Sequence, residues 1–500
     1  MQNHYDVLII GAGLSGIGMG CHLVREAAQL SYAIIERRQA MGGTWDLFRY
    51  PGIRSDADMF SFGYGFRRWD QLKTLADGAS IRQYIADTAA EHGVDQNIHY
   101  GLASTEADWS SQDRLWTLKT RNEQTGEVQI FTSRFLVSCV GYYNYDHGYL
   151  PSFPGSERFQ GQMIHPQHWP ENLDYRNKRI VIIGSGATAV TLVPALAPDA
   201  AHVTMLQRSP SYIISVPGSD KLSAVLRHVL PMRWVSAFAR TRNIWLARAI
   251  YKAARRWPKT VRKWLLSNVQ KQLGDSVDMR HFTPSYMPWD ERLCAVPDGD
   301  LFAVLRSGKA SVVTEHIQTF TETGIRLKSG QELEADIIIT ATGLQLQALG
   351  GMELKVDGQR QNLAERMTYK GALAENIPNM ASVFGYTNAP WTLKADLVSH
   401  YLCRLYNYMD EQGLEVCTPK AAEGEKEADS VMSTLNSGYV QRSADLLPRQ
   451  GRHLPWRVLN HYEQDRVMYD QPIADGVLQF IPAQAPVDVQ QTSSRAQTIS

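Results

Sequence analysis

The fold of this chain follows from residues 5–16, which read Tyr5-Asp-Val-Leu-Ile-Ile-Gly-Ala-Gly-Leu-Ser-Gly16. The apolar, β-branched residues before the first glycine predict a strand buried on both faces. Gly11, Gly13 and Gly16 permit a tight turn, close approach of the backbone to a pyrophosphate, and close packing of a helix on the strand. The N-terminus of that helix would face the phosphate charge. We therefore predict a Rossmann-like dinucleotide site at the start of the chain.

The residue that follows the second predicted strand indicates which dinucleotide binds. This strand starts at Tyr32 and ends at Glu36, twenty residues after Gly16. A carboxylate at this place accepts hydrogen bonds from ribose hydroxyls and repels a 2′-phosphate. The first site is therefore predicted to bind FAD or NAD and not NADP.

The same design returns at mid-chain as a strand, a turn and a second strand: Arg179–Ile183, Gly184-Ser-Gly186-Ala-Thr-Ala189 and Val203–Gln207. Here the second strand is followed by Arg208-Ser209 instead of an acid. A guanidinium at this place can bind a 2′-phosphate through two charge-assisted hydrogen bonds. The alternative is that Arg208 is a solvated surface charge. Two sites with opposite ribose-reading residues predict FAD at the first and NADPH at the second, with Ser209 also at the NADPH site.

Two further apolar runs ending in glycine indicate how the domains are connected. They are Phe135–Gly141 and Ala335–Gly343. In a protein with two dinucleotide sites, such strands are expected to rejoin the first domain before and after an inserted second domain. The predicted class is α/β with two Rossmann-like domains, the second inserted in the first, and a helical insertion. The predicted ranges are 1–145 and 335–490 for FAD, 146–334 for NADPH, about 216–290 for the helical insertion, and 491–500 for a flexible tail.

Composition excludes several classes of protein. The 500 residues are 44% apolar and 20% charged, which rules out a mainly disordered chain. Fifty-one basic and fifty-one acidic residues leave no net field to attract nucleic acid. The five cysteines are scattered singly, without a CxxC pair, so neither a metal site nor a redox dithiol is expected. A cytoplasmic location is expected, with possible peripheral contact to a membrane. The sequence gives no expectation of the oligomeric state.

That possible contact concerns residues 221–274, which contain thirteen Lys or Arg and no Asp or Glu. Four tryptophans are interleaved with them: Trp234, Trp245, Trp257 and Trp264. A basic amphipathic stretch of this kind can lie on an anionic membrane surface. The alternative, which we favour from the sequence, is a helical lid on the substrate pocket whose tryptophans pack inward.

Two segments resemble a known family of enzymes. The first is Gly42-Gly-Thr-Trp45, with the following Arg54-Ser-Asp56. The second runs from Phe159 through Gly161, His165 and Trp169 to Pro170, and it matches the fingerprint FxGxxxHxxxW(P/D) of the Baeyer–Villiger monooxygenases at every defined position. Within that family the chain most resembles the bacterial subgroup that activates thioamide prodrugs such as ethionamide.

The resemblance implies a reaction. NADPH would reduce FAD, and reduced flavin with O2 would give a C4a-peroxyflavin that converts small lipophilic ketones into esters or lactones. Sulfoxidation of sulfides or thioamides is also implied. The nearest alternative is a flavin-containing N- or S-monooxygenase without ketone activity. An NADPH-dependent disulfide reductase and a non-catalytic flavoprotein redox sensor stay open as more distant alternatives.

The resemblance also assigns roles to single residues, each with a structural alternative. Arg292 would be the catalytic cation, or an ordinary interface ion pair, and Asp56 its partner beside the flavin, or a helix cap. Gly43, Thr44 and Trp45 would contact the flavin. Arg54 would bind NADPH phosphate or face solvent. His165 is expected to position the two domains, Trp169 to pack, and Cys294 to be a packing residue.

Overall fold

The structure is a computed structural model that describes residues 3–291, 293–386, 388–433 and 438–483. Its strands are, in chain order, β1 His4–Ile10, β2 Tyr32–Glu36, β3 Ile98–Tyr100, β4 Leu102–Ser110, β5 Leu115–Asn122, β6 Val128–Ser138, β7 Gln162–Ile164, β8 Arg179–Ile183, β9 His202–Gln207, β10 Ile213–Val216, β11 Cys294–Pro297, β12 Ala310–Thr314, β13 Ile317–Thr321, β14 Gly324–Leu327, β15 Glu332–Glu334, β16 Ile337–Thr340, β17 Glu353–Val356, β18 Gln359–Arg360, β19 Thr368–Tyr369, β20 Leu373–Ala374, β21 Met380–Ser382, β22 Leu414–Pro419, β23 Lys426–Ser430, β24 Arg449–Gly451 and β25 Leu478–Pro482.

The α-helices are α1 Leu14–Glu26, α2 Thr44–Leu47, α3 Met59–Phe62, α4 Gly78–Glu91, α5 Ala187–Leu196, α6 Lys221–Leu226, α7 Met232–Arg256, α8 Pro258–Leu273, α9 Asp300–Arg306, α10 Trp391–Glu411, α11 Gly438–Arg442 and α12 Tyr462–Tyr469. Within the described ranges, no helix is long and apolar enough to cross a membrane. The predicted flexible tail, 491–500, lies outside the described residues.

The first large sheet is built around β1, which pairs in parallel with β2 on one side and β6 on the other. Val7 and Ile9 point into one apolar core, and Leu8 and Ile10 point into a second core on the opposite face. Because successive side chains of a strand alternate between faces, a strand covered on both sides must be apolar at every position. This explains the unbroken apolar run that the sequence shows at β1.

The C-terminal part of the chain returns to this first sheet. β17 pairs in parallel with β4, and β21 pairs in parallel with β6. Between them in sequence, the chain forms a second sheet of five parallel strands in the order β12, β9, β8, β16 and β7. The predicted arrangement, a second nucleotide-binding domain inserted in the first, is therefore confirmed.

One strand was predicted in the wrong sheet. The run Ala335–Gly343 forms β16, which pairs with β8 and β7 of the second sheet instead of rejoining the first. The first domain resumes only with β17, so the boundary placed at residue 335 is wrong. An apolar run predicts that a strand is buried, but its neighbour is chosen by hydrogen bonding between residues far apart in sequence. The other run, at Phe135, does lie beside β1 as expected.

The predicted helical insertion is present as α6, α7 and α8, between β10 and β11. α7 packs on the first domain near α3. The Ser236 hydroxyl donates to the Trp69 carbonyl at 2.9 Å, and the Arg240 guanidinium donates to the carbonyls of Phe60 at 3.1 Å and Gly63 at 2.7 Å. These contacts fix the orientation of α7 about its own axis.

Candidate functional site

A cavity of about 1690 Å³ opens at the carboxyl ends of β1 and β2. Its lining there includes Gly11, Gly13 and Glu36, and it extends to residues of α7 and α8. Small-molecule pockets usually measure roughly 300–1,000 Å³, so this cavity has room for a large cofactor together with a second molecule. In parallel α/β sheets, ligands bind beyond the carboxyl ends of the strands.

The first glycine turn is held in a shape that side chains would prevent. A Cβ at Gly16 would lie 1.8 Å from the Gly11 carbonyl oxygen. A Cβ at Gly43 would lie 2.9 Å from the Gly13 Cα, and Gly43 has a φ of +56° that favours glycine. Two glycine segments therefore approach each other at the cavity wall and leave backbone N–H groups open to a ligand. This cradle fits a pyrophosphate, as the sequence predicts.

The Glu36 carboxylate is fixed at the end of β2. One oxygen accepts from the Ala12 N–H at 2.7 Å and the other from the Arg38 N–H at 2.8 Å. Burial raises the pKa of this carboxyl, and the two N–H donors oppose that effect. Glu36 lines the cavity. Its position agrees with the predicted contact to ribose, which stays a prediction.

Thr44, Trp45 and Asp56 also line the cavity. Asp56 is exposed and does not cap a helix, because the N-cap of α3 is Asp58, whose carboxylate accepts from the Ser61 N–H at 3.1 Å. The helix-cap alternative for Asp56 is therefore wrong. Its assignment as partner of a catalytic cation stays a prediction.

Arg54 does not face solvent. Its side chain is 13% exposed and forms an ion pair with Asp300, at 2.6 Å between Nη1 and the nearer carboxylate oxygen. Asp300 begins α9 of the second domain, so the pair joins the two domains. The solvent-facing alternative is wrong, and contact with NADPH phosphate stays a prediction.

The second glycine turn repeats the geometry of the first. A Cβ at Gly184 would lie 2.3 Å from the Ala341 carbonyl oxygen, and the φ of Gly184 is +144°. Gly186 has no atom within 4 Å of its Cβ position, which leaves room for a ligand. Ala189 is fully buried in the helix that follows. The turn is therefore closed beneath and open above.

Arg208 is exposed just after β9, beside this second turn. The Ser185 hydroxyl, within the turn, donates to the Ser209 carbonyl at 3.0 Å. The Arg208 charge also opposes the rise that burial causes in the pKa of Glu291, a residue of the cavity wall. Binding of a 2′-phosphate and a solvated surface charge both fit this position, so the NADPH contact of Arg208 and Ser209 stays a prediction.

The fingerprint residues act as connectors between segments. The His165 Nδ1 accepts from the Gln167 N–H at 3.2 Å, so its Nε2 carries the proton and donates to the Gly343 carbonyl at 3.2 Å. Burial lowers the pKa of His165, which favours the neutral ring. These bonds support a positioning role and not acid–base catalysis. At Gly161, a Cβ would lie 2.5 Å from the Asp336 carbonyl oxygen.

The aromatic members of the fingerprint pack. Phe159 lies edge-on to Phe320, with ring centroids 6.5 Å apart. Trp169 is half-buried against the core of the second domain, as expected, and Pro170 is exposed. None of the fingerprint residues lines the cavity described above. The fingerprint therefore marks how the two domains are joined.

Arg292 lies outside the described residues. The residues on either side of it in sequence, Glu291 and Leu293, line the cavity. Cys294 is buried, as expected of a packing residue. Cys139 lines the cavity beside the first glycine turn, but burial raises the pKa of its thiol, which is the opposite of an activated thiolate. This chemistry argues against a disulfide reductase.

The sequence analysis did not single out the start of α10. The Trp391 indole N–H donates to the Ser15 hydroxyl at 2.7 Å, so a residue far along the chain contacts the first turn of α1. Tyr386 also lines the cavity, and its hydroxyl donates to the buried Asp465 carboxylate at 2.7 Å. No general sequence pattern marks these residues, because their proximity arises from long-range packing.

Comparisons with known proteins agree with this architecture. The model of the flavin-binding monooxygenase-like family matches residues 69–349, and that of an NAD(P)-binding Rossmann-like domain matches residues 9–77. The putative FAD-containing monooxygenase MymA of Mycobacterium tuberculosis is 60% identical over 97% of this chain and 99% of its own length. The FAD-containing monooxygenase EthA of the same organism is 50% identical over 98% of this chain and 100% of its own length.

Among solved structures, oxidized steroid monooxygenase bound to NADP superposes with a TM-score of 0.76 at 21% identity, covering 96% of this chain and 100% of that one. The chain is a flavoprotein of the two-dinucleotide class. It belongs to the flavin-binding monooxygenase-like family. This confirms the predicted fold, the monooxygenase class and the cofactor pair of a flavin with a nicotinamide dinucleotide.

Proposed function

We propose that this protein is an NADPH- and O2-dependent Baeyer–Villiger monooxygenase that inserts one oxygen atom into small lipophilic ketones and releases esters or lactones. The observation that carries the proposal is the single cavity that joins the first glycine turn to a wall of aromatic and aliphatic side chains. Bound FAD, reduced by NADPH, supplies the electrons and activates O2 in this cavity. Sulfoxidation of sulfides or thioamides is a second activity of the same site.

The chain supplies position, charge and exclusion of water. Glu36 and the cradle of Gly11, Gly13 and Gly16 hold the dinucleotide. Apolar walls keep water from the reacting oxygen, and Arg292 stabilises the negative charge that develops there, with Asp56 orienting its guanidinium. An arginine suits this role because it keeps its proton at all physiological pH values.

The function is tested by supplying purified holoenzyme with NADPH, ¹⁸O2, a simple cyclic ketone and an alkyl aryl sulfide. The expected result is a lactone carrying one ¹⁸O atom, found by mass spectrometry, together with a labelled sulfoxide. Sulfoxide without lactone would instead support an N- or S-monooxygenase. Consumption of NADPH with hydrogen peroxide as the single oxygen product would contradict both and support a redox sensor.

Arg208 provides a test of cofactor choice. Arg208→Ala is expected to lower the ratio of kcat/KM for NADPH over NADH by about ten- to a hundred-fold, because a charge-assisted hydrogen bond is worth roughly 1.5–3 kcal/mol. The matched control is Arg176→Ala, an arginine whose side chain is 81% exposed. An unchanged ratio in Arg208→Ala would identify Arg208 as a solvated surface charge.

A further inference from the structure

The helical insertion exposes an unusual amount of apolar surface. Of the nineteen exposed large apolar side chains among the described residues, ten lie between 221 and 274. They are Leu222, Val225, Val229, Leu230, Trp234, Phe238, Trp245, Leu246, Trp257 and Trp264. The four tryptophans are 48–69% exposed, so the expectation that they pack inward is wrong. We call residues 221–274 the basic surface.

Packing of the opposite face fixes this outward orientation. Trp234, Phe238 and Trp245 are spaced by four and seven residues, which places them on one face of α7. Val235 and Ser236 are buried on another face, against the first domain. Turning the aromatic side chains inward would require α7 to rotate and to lose these contacts. The exposed aromatic stripe is therefore a stable feature of the fold.

Positive charge surrounds the apolar side chains. Eight exposed cations of the basic surface have no carboxylate oxygen within 4.0 Å in the part of the chain that the structure describes: Lys221, Arg227, Arg233, Lys252, Arg256, Lys259, Lys263 and Lys271. The remainder of the chain carries thirty-eight basic and fifty-one acidic residues, a net charge of −13. An anionic surface would therefore attract this side of the molecule and repel the rest.

The cavity reaches the basic surface. Leu222, Leu246 and Trp264 are exposed and also line the cavity. A lipophilic molecule could thus pass from an apolar medium in contact with this surface into the site without crossing bulk water.

We propose that the basic surface docks the protein on a bilayer that contains anionic lipids, with the aromatic stripe inserted at the level of the headgroups. Tryptophan side chains favour that level because one end is apolar and the other donates a hydrogen bond, and each nearby Lys or Arg adds attraction to anionic lipids. A second copy of the chain fits less well, because a symmetric pairing would oppose two identical basic surfaces. Nucleic acid would leave the exposed Leu and Val side chains without apolar partners.

Docking is tested by co-sedimentation of the FAD-bound protein with vesicles, which does not depend on the proposed reaction. Vesicles of phosphatidylcholine and phosphatidylglycerol in equal parts are expected to bind the protein in low salt, more weakly in high salt, and pure phosphatidylcholine vesicles much less. Equal binding to both vesicle types, or no binding, would overturn the proposal.

Variants assign the binding to the surface. Trp234→Ser with Trp245→Ser, and Lys259→Glu with Lys263→Glu, are each expected to weaken vesicle binding about tenfold or more. The matched controls, Val128→Ser with Val467→Ser and Lys309→Glu with Lys328→Glu, change exposed residues elsewhere and should bind as the parent does. Bound flavin and the thermal unfolding temperature verify that each variant is folded.

Other occupants give different results. A dimer in sedimentation velocity that the tryptophan variant abolishes, without vesicle binding, would assign the surface to a second copy. Salt-sensitive binding of duplex DNA without vesicle binding would assign it to nucleic acid. Equal loss of vesicle binding in the control variants would place the docking surface elsewhere. Each of these results would overturn the proposal.

Discussion

Arg292→Ala is expected to lower the rate of ester formation about 100- to 1,000-fold while the protein keeps its flavin. Oxygen insertion develops negative charge on oxygen, and removal of one fixed stabiliser of such charge typically has an effect of this size. The neighbours of Arg292 in sequence, Glu291 and Leu293, line the cavity. Ester or lactone formation is measured together with NADPH oxidation, and oxidation is expected to continue without product.

Two variants complete this test. Arg292→Lys is expected to recover part of the rate, because lysine supplies charge without the planar fork of arginine. Arg280→Ala, which removes an arginine that is 75% exposed, should leave the rate unchanged. Ester formation by Arg292→Ala at a rate near that of the parent would show that Arg292 is an ordinary structural residue.

Gly16→Ala is expected to destabilise the fold by about 3 kcal/mol or more and to abolish flavin binding. The added Cβ would lie 1.8 Å from the Gly11 carbonyl oxygen, which is backbone and cannot move without opening the turn. Thermal unfolding and the flavin absorbance of the purified protein measure the two effects. A variant that unfolds at the parent temperature with full flavin content would contradict this account of the turn.

Gly13→Ala is the matched comparison in the same turn. Its Cβ would lie 3.5 Å from the Gly43 Cα, an ordinary contact, and the φ of Gly13 is −80°, which alanine adopts readily. Gly13 also lines the cavity. We therefore expect this variant to fold and to lose flavin affinity, which would separate the structural glycine from the one that faces the ligand.

Much of the candidate site follows from local sequence. The two turns at Gly11 and Gly184 were predicted because a tight turn under a strand leaves no room for a side chain, and this constraint acts between residues close in sequence. Glu36 could be assigned for the same reason, since strand length fixes the distance from the turn to the ribose position.

Other features depend on contacts between distant segments. Arg54 pairs with Asp300, and Trp391 reaches Ser15, across 246 and 376 residues. A charged or aromatic residue has many compatible partners, and only the packed domains select one of them. The sequence alone therefore left the roles of these residues open or did not indicate them.

By itself, the sequence determined that this protein has two dinucleotide-binding units, which cofactor each would take, and that a basic helical segment interrupts the second. The tertiary structure decided that the strand after Ala335 completes the second sheet, and that the tryptophans of the basic surface face outward. The physical reason is the range of the interactions. Glycine turns and apolar periodicity act over a few residues, whereas sheet neighbours and the exposed face of a helix are set by what packs against them.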